Sequence, residues 1–429
     1  MSRDDRLKIA ERIATRESRA GLWHLLATPV EGVVSVKGSI ETAPDAAAGE
    51  TGVQDLMVAM LDKGTRRRSK RDLAEFLEDR GATTDFSSAQ TRIRFSARCL
   101  SDDLQDVLGV LFEQITEPAF DEDEFQRVRS RVASNVSRQL THTATRAGRL
   151  LSRRLYPEGH PNRSLRVEDE LDLIAGTDLD RLVDFHARHV VANNPRFVIV
   201  GEIPEDLSLD ELAPLEPGWT ERPVIEVDDL PPPADPGTES VDIPDRPNLD
   251  IRIGHRLDLK RLDDDFLPLY VGVFALGGNF SSRLMSVVRD EMGLTYGIRS
   301  GLNGVDRYHT GHWVTSVTLS ADRVDEGIRA SRDVAARFLE EGVTEDELEG
   351  VKTTLVGSYE VRLETTRAIA ATVLSHLERG YRLERLDTLP DEIEALSVED
   401  VNEALSRHLS MDRLHVCSAG SAAGITRPA

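Results

Sequence analysis

Cysteine is scarce. Cys99 and Cys417 are the only two in 429 residues, which excludes a disulfide framework and a zinc site built on thiolates, and both read as buried or inert thiols. Long apolar runs are also missing. The longest, Phe266 to Leu276, contains Pro268 and falls short of the ~30 Å of hydrocarbon a spanning helix must cross. The opening MSRDDRLKIAERIATRESR lacks the apolar core of a secretory signal, so the expectation is a cytoplasmic protein with no membrane part. Lysine supplies only six of the 53 basic residues, an Arg-rich, Lys-poor balance that suits a GC-rich or salt-adapted prokaryote and says nothing of activity. Positive charge as a whole is in deficit: 53 Lys and Arg face 76 Asp and Glu, a net −23. Nucleic-acid binders need a concentrated basic surface, so that class is excluded.

With 39% hydrophobic and 30% charged residues, the composition is that of a soluble globular protein, and the length allows two or more domains. The clearest linker, VDDLPPPADPGTESVDIPDRPNLD from Val227 to Asp250, is rich in Pro and Asp and has no helical period. The segments on its two sides share a plan. RIRFSARCLSDDLQDVLGVLFEQ, a strand and a helix opening at Ser101, matches HWVTSVTLSADRVDEGIRASRDVAARFLEE, where Ser320 takes the same place. Acidic helix starts follow at Asp121 and at Thr344, the latter a capping box with Glu347. Thr145-Arg146 then answers Thr366-Arg367, and His189 stands before Gly201 as His408 stands before Gly420, 12 residues in each case. Four matches at nearly constant offset imply an internal duplication. The expected fold is α+β: two homologous domains, residues 1–226 and 251–429, joined by the 227–250 linker, each a mainly antiparallel sheet covered by long helices. Strands are expected at Val33 to Ile40, Arg92 to Leu100 and Phe197 to Gly201.

Two segments stand out for chemistry. GVQDLMVAMLDKGT, from Gly52 to Thr65, reads as a helix stopped by Gly64, followed by a second helix with Ser69 as N-cap and Gly81 as its end. FALGGNFSSRLMSVVRDEMGLTYGIRSGL, from Phe274 to Leu302, reads as a helix broken at Gly277-Gly278, recapped at Ser281 or Ser282 and ended by Gly293 before a strand containing Tyr296. Arg283 would pair with Asp290 on its own helix face. The pairs His186/His189 and His309/His312 have no carboxylate at a convincing metal-ligand spacing and read as structural or surface histidines. GGNF lacks the Lys of a phosphate loop.

Both segments resemble the pitrilysin/insulinase-type zinc metallopeptidases, including the non-catalytic subunits of two-chain bacterial members and of mitochondrial processing peptidase. The resemblance runs from about Gly21 to Gly420. In such proteins the first segment carries H-x-x-E-H, two His ligands with a Glu general base. Aligned on Gly52, Met60, Lys63, Gly64 and Thr65, those three positions hold Asp55, Val58 and Ala59, and the distal Glu ligand falls near Asn135. Val and Ala can neither bind zinc nor accept a proton, so the resemblance implies no zinc site and no cofactor in this chain. The second segment keeps the family's Arg and Tyr, seven residues apart, as Arg289 and Tyr296. In the family such residues project into an active site built by the other half, where a Tyr hydroxyl donates to an oxyanion and an Arg fork holds carbonyls in register. Gly277 and Gly278 would let the preceding loop approach substrate.

The expectation is therefore a non-catalytic subunit of a heterodimeric zinc peptidase. It would supply Arg289 and Tyr296 in trans to a homologous H-x-x-E-H subunit that holds the zinc and cleaves peptides. In the family, peptide lies along a sheet edge of the catalytic domain; the equivalent strand here, TTDFSSAQT from Thr83, would be vestigial. The alternative is a pseudo-protease that serves only as a scaffold or peptide-binding module, as a homodimer or within a larger assembly.

Overall fold

The computed structural model describes residues 8–18, 20–30, 32–42, 49–191, 195–209, 232 and 234–421. In chain order the first stretch runs β1 (Ala14–Ser18), β2 (Gly21–Ala27), β3 (Val34–Glu41), α1 (Thr51–Val58), α2 (Lys70–Asp79), β4 (Thr83–Ala89), β5 (Arg92–Cys99), α3 (Leu104–Thr116), α4 (Glu122–Ser137), α5 (Thr143–Leu155), α6 (Val167–Ala175), α7 (Leu179–His189) and β6 (Arg196–Gly201). The second runs β7 (Thr238–Asp242), β8 (Asn248–Arg256), α8 (Phe266–Gly277), a π-helix (Met285–Glu291), β9 (Ile298–Asn303), β10 (His312–Ser320), α9 (Val324–Glu341), α10 (Glu345–Val361), α11 (Thr366–Glu378), α12 (Arg385–Ala395), α13 (Val398–His408) and β11 (His415–Gly420). The sheets have orders β1-β2-β6-β3-β5-β4 and β7-β11-β8-β10-β9. Among the described residues one pair in each sheet is parallel, β2 with β6 and β7 with β11. This is the mixed α+β architecture the duplication implies.

The repeat extends to the backbone. Gly201 and Gly420 each end a last strand at positive φ, +145° and +157°. A Cβ on Gly201 would sit 2.3 Å from the Val33 carbonyl oxygen, so a side chain has no room there. The inner strands are buried on both faces, as in Phe197, Val198, Ile199 and Val200 of β6. On the first sheet, Trp23 stacks on Phe197 at 4.2 Å and Phe112 of α3 closes over them.

The two compact units do not follow a single cut in the chain. One comprises residues 1–136, 169–227 and 359–389; the other comprises 137–168, 228–358 and 390–429. The exchanged segments carry the matched Thr-Arg pairs. Helix α11, opening at Thr366, buries Ile369, Ala370, Val373 and Leu374 with Leu26, Val198 and Val200 of the first sheet. Helix α5 buries Leu151 and Leu155 with Val314 and Cys417 of the second. Each helix covers the same face of its sheet. Its apolar stripe decides where it packs, and its position along the chain does not. The expected linker differs as well. Its residues 227–231 and 233 lie outside the described residues, but Thr238–Asp242 form β7, which pairs in parallel with β11.

Candidate functional site

Helix α1 ends at Val58, six residues before the expected stop at Gly64. Beyond Ala59 the chain tightens into turns, with Met60 N–H on Met57 O at 3.0 Å and Lys63 N–H on Met60 O at 3.0 Å. Gly64, at φ +120°, then bridges to Ser69, and Thr65 bridges to Pro118. The buried Glu113 accepts from both Thr65 and Arg68, and Arg67 forks onto Glu117 at 2.8 and 3.0 Å. Ser69 caps α2 through a capping box with Asp72, and Gly81 follows at φ +56°.

One residue of α1 escapes a motif reading altogether. Gln54 is fully buried; it accepts from Thr42 at 2.9 Å and donates to Ser88 at 2.7 Å. This amide ties α1 to β4 and so sets which helix face looks along the sheet edge. That face opens on a cleft of about 380 Å³ lined by Asp55, Val58 and Ala59, by Asp62 and Lys63, by β4 and by Arg131 of α4. The degenerate positions are thus brought together, with edge strand β4 beside them. Asn135 is not among the lining residues and is exposed; the contribution from α4 is Arg131, one helical turn earlier.

The donor set does not fit zinc. Val58 and Ala59 offer no ligand atom, and Arg131 adds a cation. Among the described residues no group of three or more His, Cys, Asp or Glu is arranged to hold a metal ion. The paired histidines are engaged separately: His186 with the Ile115 carbonyl at 2.7 Å, His189 against the Phe185 ring, His309 with Asp306 at 3.1 Å and His312 with the Tyr156 hydroxyl at 3.0 Å.

Arg289 and Tyr296 lie in the other unit, between α8 and β9. Arg289 belongs to the π-helix, where Met292 N–H reaches Val287 O at 3.0 Å, a five-residue step. Its guanidinium sits 5.7 Å from the Phe280 ring centroid and 3.1 Å from Asp290. Tyr296 is not in a strand but in a bend ahead of β9, and it is 100% exposed. The bend is held by its neighbour: Thr295 Oγ1 donates to Thr318 O at 2.7 Å and accepts from Gly297 N–H at 3.2 Å. Leu294, two residues earlier, is buried, whereas Tyr296 is fully in solvent. No hydrogen bond joins Arg289 to Tyr296.

Two expectations change here. Arg283 does not pair with Asp290. It forks onto Glu347 at 2.6 and 2.9 Å, reaches Glu341 at 2.9 Å and donates to Gly342 O at 2.8 Å, so it fastens the helix to the α9–α10 turn. Gly277 serves packing: a Cβ there would stand 2.5 Å from the Ser300 nitrogen, where α8 presses on β9. Gly278 is exposed, but its Cβ would meet the Phe274 ring at 2.3 Å.

Known proteins share this sequence and arrangement. The family description Insulinase (Peptidase family M16) matches residues 38–166, and Peptidase M16 inactive domain matches residues 177–355. The chain is 23% identical to the non-peptidase homolog YmxG of Helicobacter pylori over 374 residues, 85% of this chain and 83% of that protein. With the chloroplastic stromal processing peptidase of Arabidopsis thaliana it shares 32% identity over 166 residues, 37% of this chain but only 13% of that protein. Among solved structures, a peptidase M16 inactive domain from Pseudomonas fluorescens superposes with a TM-score of 0.85 at 23% identity, covering 96% of this chain and 98% of that one. A protease from Helicobacter pylori superposes at 0.77 with 15% identity, covering 95% and 99%.

Proposed function

This chain belongs to the insulinase family of peptidases, M16, and we propose that it works there as a subunit without a zinc site, lending Arg289 and Tyr296 to the active site of a homologous H-x-x-E-H partner. The observation that carries this reading is the contrast in side chains. The cleft beside β4 presents Val58 and Ala59 where a ligand and a base would be needed, while Tyr296 is fully exposed on a loop pinned by Thr295.

Zinc in such a partner would supply the activation of water. This chain would supply hydrogen-bond donors. The Tyr296 hydroxyl, fully exposed and without a hydrogen bond among the described residues, suits donation to the oxyanion that develops on a scissile carbonyl. The Arg289 guanidinium, steadied by Phe280 and Asp290, suits a fork onto backbone carbonyls of a bound peptide.

The test measures peptide cleavage by the full chain alone, by an H-x-x-E-H homologue from the same genome alone, and by the mixture. The mixture should cleave far faster than either chain. Tyr296→Phe should lower its kcat by about 10²-fold, the worth of one oxyanion donor. Arg289→Ala should act mainly on KM. A mixture no faster than the partner alone, or indifference to both substitutions, would sink the subunit reading and leave a scaffold or peptide-binding role.

A further inference from the structure

The sheet face under α11 is unusual for its polarity. The register puts three rows of side chains on it: Ser35 opposite Arg98 and Thr83, Lys37 opposite Ser96 and Asp85, and Ser39 opposite Arg94 and Ser87. Helix α11 lies over β3 and β6, with Thr366 3.1 Å from Ser35, and leaves the β5–β4 part exposed. Some charges on this face cancel. Arg92 pairs with Glu41, and Arg94 forks onto Glu378 at 2.9 and 2.7 Å.

Lys37, Arg98 and Arg367 remain. Arg98 and Arg367 are exposed and form no ion pair or hydrogen bond among the described residues, and Asp85 is a carboxylate near Lys37. Lys37 is diagonal to Arg98 across the strands, and Arg367 follows the Thr366 that touches Ser35, so the three cations surround one point of the sheet. Burial and the nearby Arg367 both hold the Lys37 ammonium below its usual range. Cations are thus crowded together on a chain whose net charge is −23.

The second unit also carries cations on the matching face. Ser316 is the counterpart of Ser96, and its row holds Arg252 and Arg299. Arg299 is exposed and has no ion pair among the described residues, while Arg252 has Asp250 at 3.8 Å. Arg252 answers Lys37, while Arg299 stands where the first unit has Asp85, so the two faces share an excess of cations but not the same cluster. Mutual repulsion of this kind is a standing cost unless something anionic relieves it.

We propose that the α11-bearing face of the first sheet is a recognition surface for extended, carboxylate-rich peptide segments, with Lys37, Arg98 and Arg367 as its cations. A peptide is the occupant that fits. The cations are few and clustered, which suits carboxylates on one short segment, and the surrounding Ser96, Thr83 and Ser87 offer neutral hydrogen-bonding side chains. The surface needs no partner subunit and goes beyond the trans role of Arg289 and Tyr296.

The experiment measures fluorescence anisotropy of labelled octapeptides with the full chain. A Glu-rich peptide should bind at least about tenfold tighter than its Gln counterpart or a Lys-rich one, and should weaken about tenfold as salt rises from about 50 to about 300 mM. Arg98→Glu/Arg367→Glu should abolish that preference. Arg332→Glu/Arg337→Glu, on the exposed side of α9, changes net charge equally and should preserve it. Circular dichroism checks that each variant is folded. Equal binding of the Gln peptide, equal loss in the α9 control, or loss with Arg299→Glu alone would overturn the assignment, as would tighter binding of a single-stranded oligonucleotide.

Discussion

The two units place a pair of helices at the same point, between the long strand and the edge strand, and use them oppositely. In the first unit α1 keeps polar residues toward β4, and the space between them is a cleft edged by Asp55, Asp62, Lys63 and Arg131. In the second, α8 is buried along most of its length and Gly277 lets it press against Ser300 of β9. The chemistry offered there has moved outward, to Phe280, Arg289 and Tyr296 on the following π-helix and bend. One scaffold therefore carries a hollow without ligands and a packed wall with exposed donors. What separates them is side-chain size and polarity at a few helix positions.

The largest effect should come from acid, and it should strike both units. His24, His186 and His376 in the first and His255 and His312 in the second are each held down to about 4, chiefly by burial. His186 donates to Ile115 O and His255 to Arg256 O, contacts that favour the charged ring but are outweighed by burial, and His312 shares a hydrogen bond with the Tyr156 hydroxyl. The folded value lies below the unfolded value of about 6.5. Above pH ~6.5 neither state is protonated; from there to about 4 only the unfolded chain takes up protons, so stability falls as pH falls. Urea midpoints should drop steeply between pH ~7 and ~5. Single-Trp variants reporting from Trp23 and Trp313 should show both units weakened. A flat profile in one unit would break the parallel.

Next in size is the packed wall. Gly277→Ala should cost about 3 kcal/mol, because the Ser300 backbone cannot yield. Gly52→Ala in α1 faces only the Ile174 and Leu173 side chains at 3.3 Å, and the gain in helix propensity should hold its change within about 1 kcal/mol. Gln54→Leu, between these, strands the Thr42 and Ser88 hydroxyls at a cost of about 2 kcal/mol. Thermal denaturation of the three variants would rank them, and equal losses for the two glycines would contradict the wall-and-hollow contrast.

Much of this was legible from spacing alone. Ser101 and Ser320, the Thr-Arg pairs and Gly201 and Gly420 mark equivalent places, and Ser69 does cap its helix. These signals are local, set by a few residues acting on their own backbone. The exchange of α5 and α11 between units was not legible, because an apolar stripe does not say which sheet it will cover. Strand β7 hid in a Pro-rich segment, since its pairing depends on β11 far along the chain. The π-helix has no signature of its own. In the fold it runs from the buried Met285 towards the buried Leu294, with Gly293 turning the chain at φ +59° between them. Gly277 looked like a loop glycine until the backbone it approaches was in view.

The smallest stability effect should belong to the residues with the largest functional weight. Arg283 and Arg289 lie six positions apart in the same segment, yet one is bound to Glu347, Glu341 and Gly342 O, and the other, among the described residues, meets Phe280 and its neighbour Asp290. Arg283→Ala removes a bidentate contact to Glu347 and leaves that half-buried carboxylate without its cation, a loss of about 2 kcal/mol. Arg289→Ala and Tyr296→Phe remove exposed groups and should move stability by less than about 0.5 kcal/mol. Urea unfolding distinguishes the two outcomes. If Tyr296→Phe destabilised the chain as much as Arg283→Ala does, its hydroxyl would be serving the fold, and the donor offered by the second unit would no longer be free for a ligand.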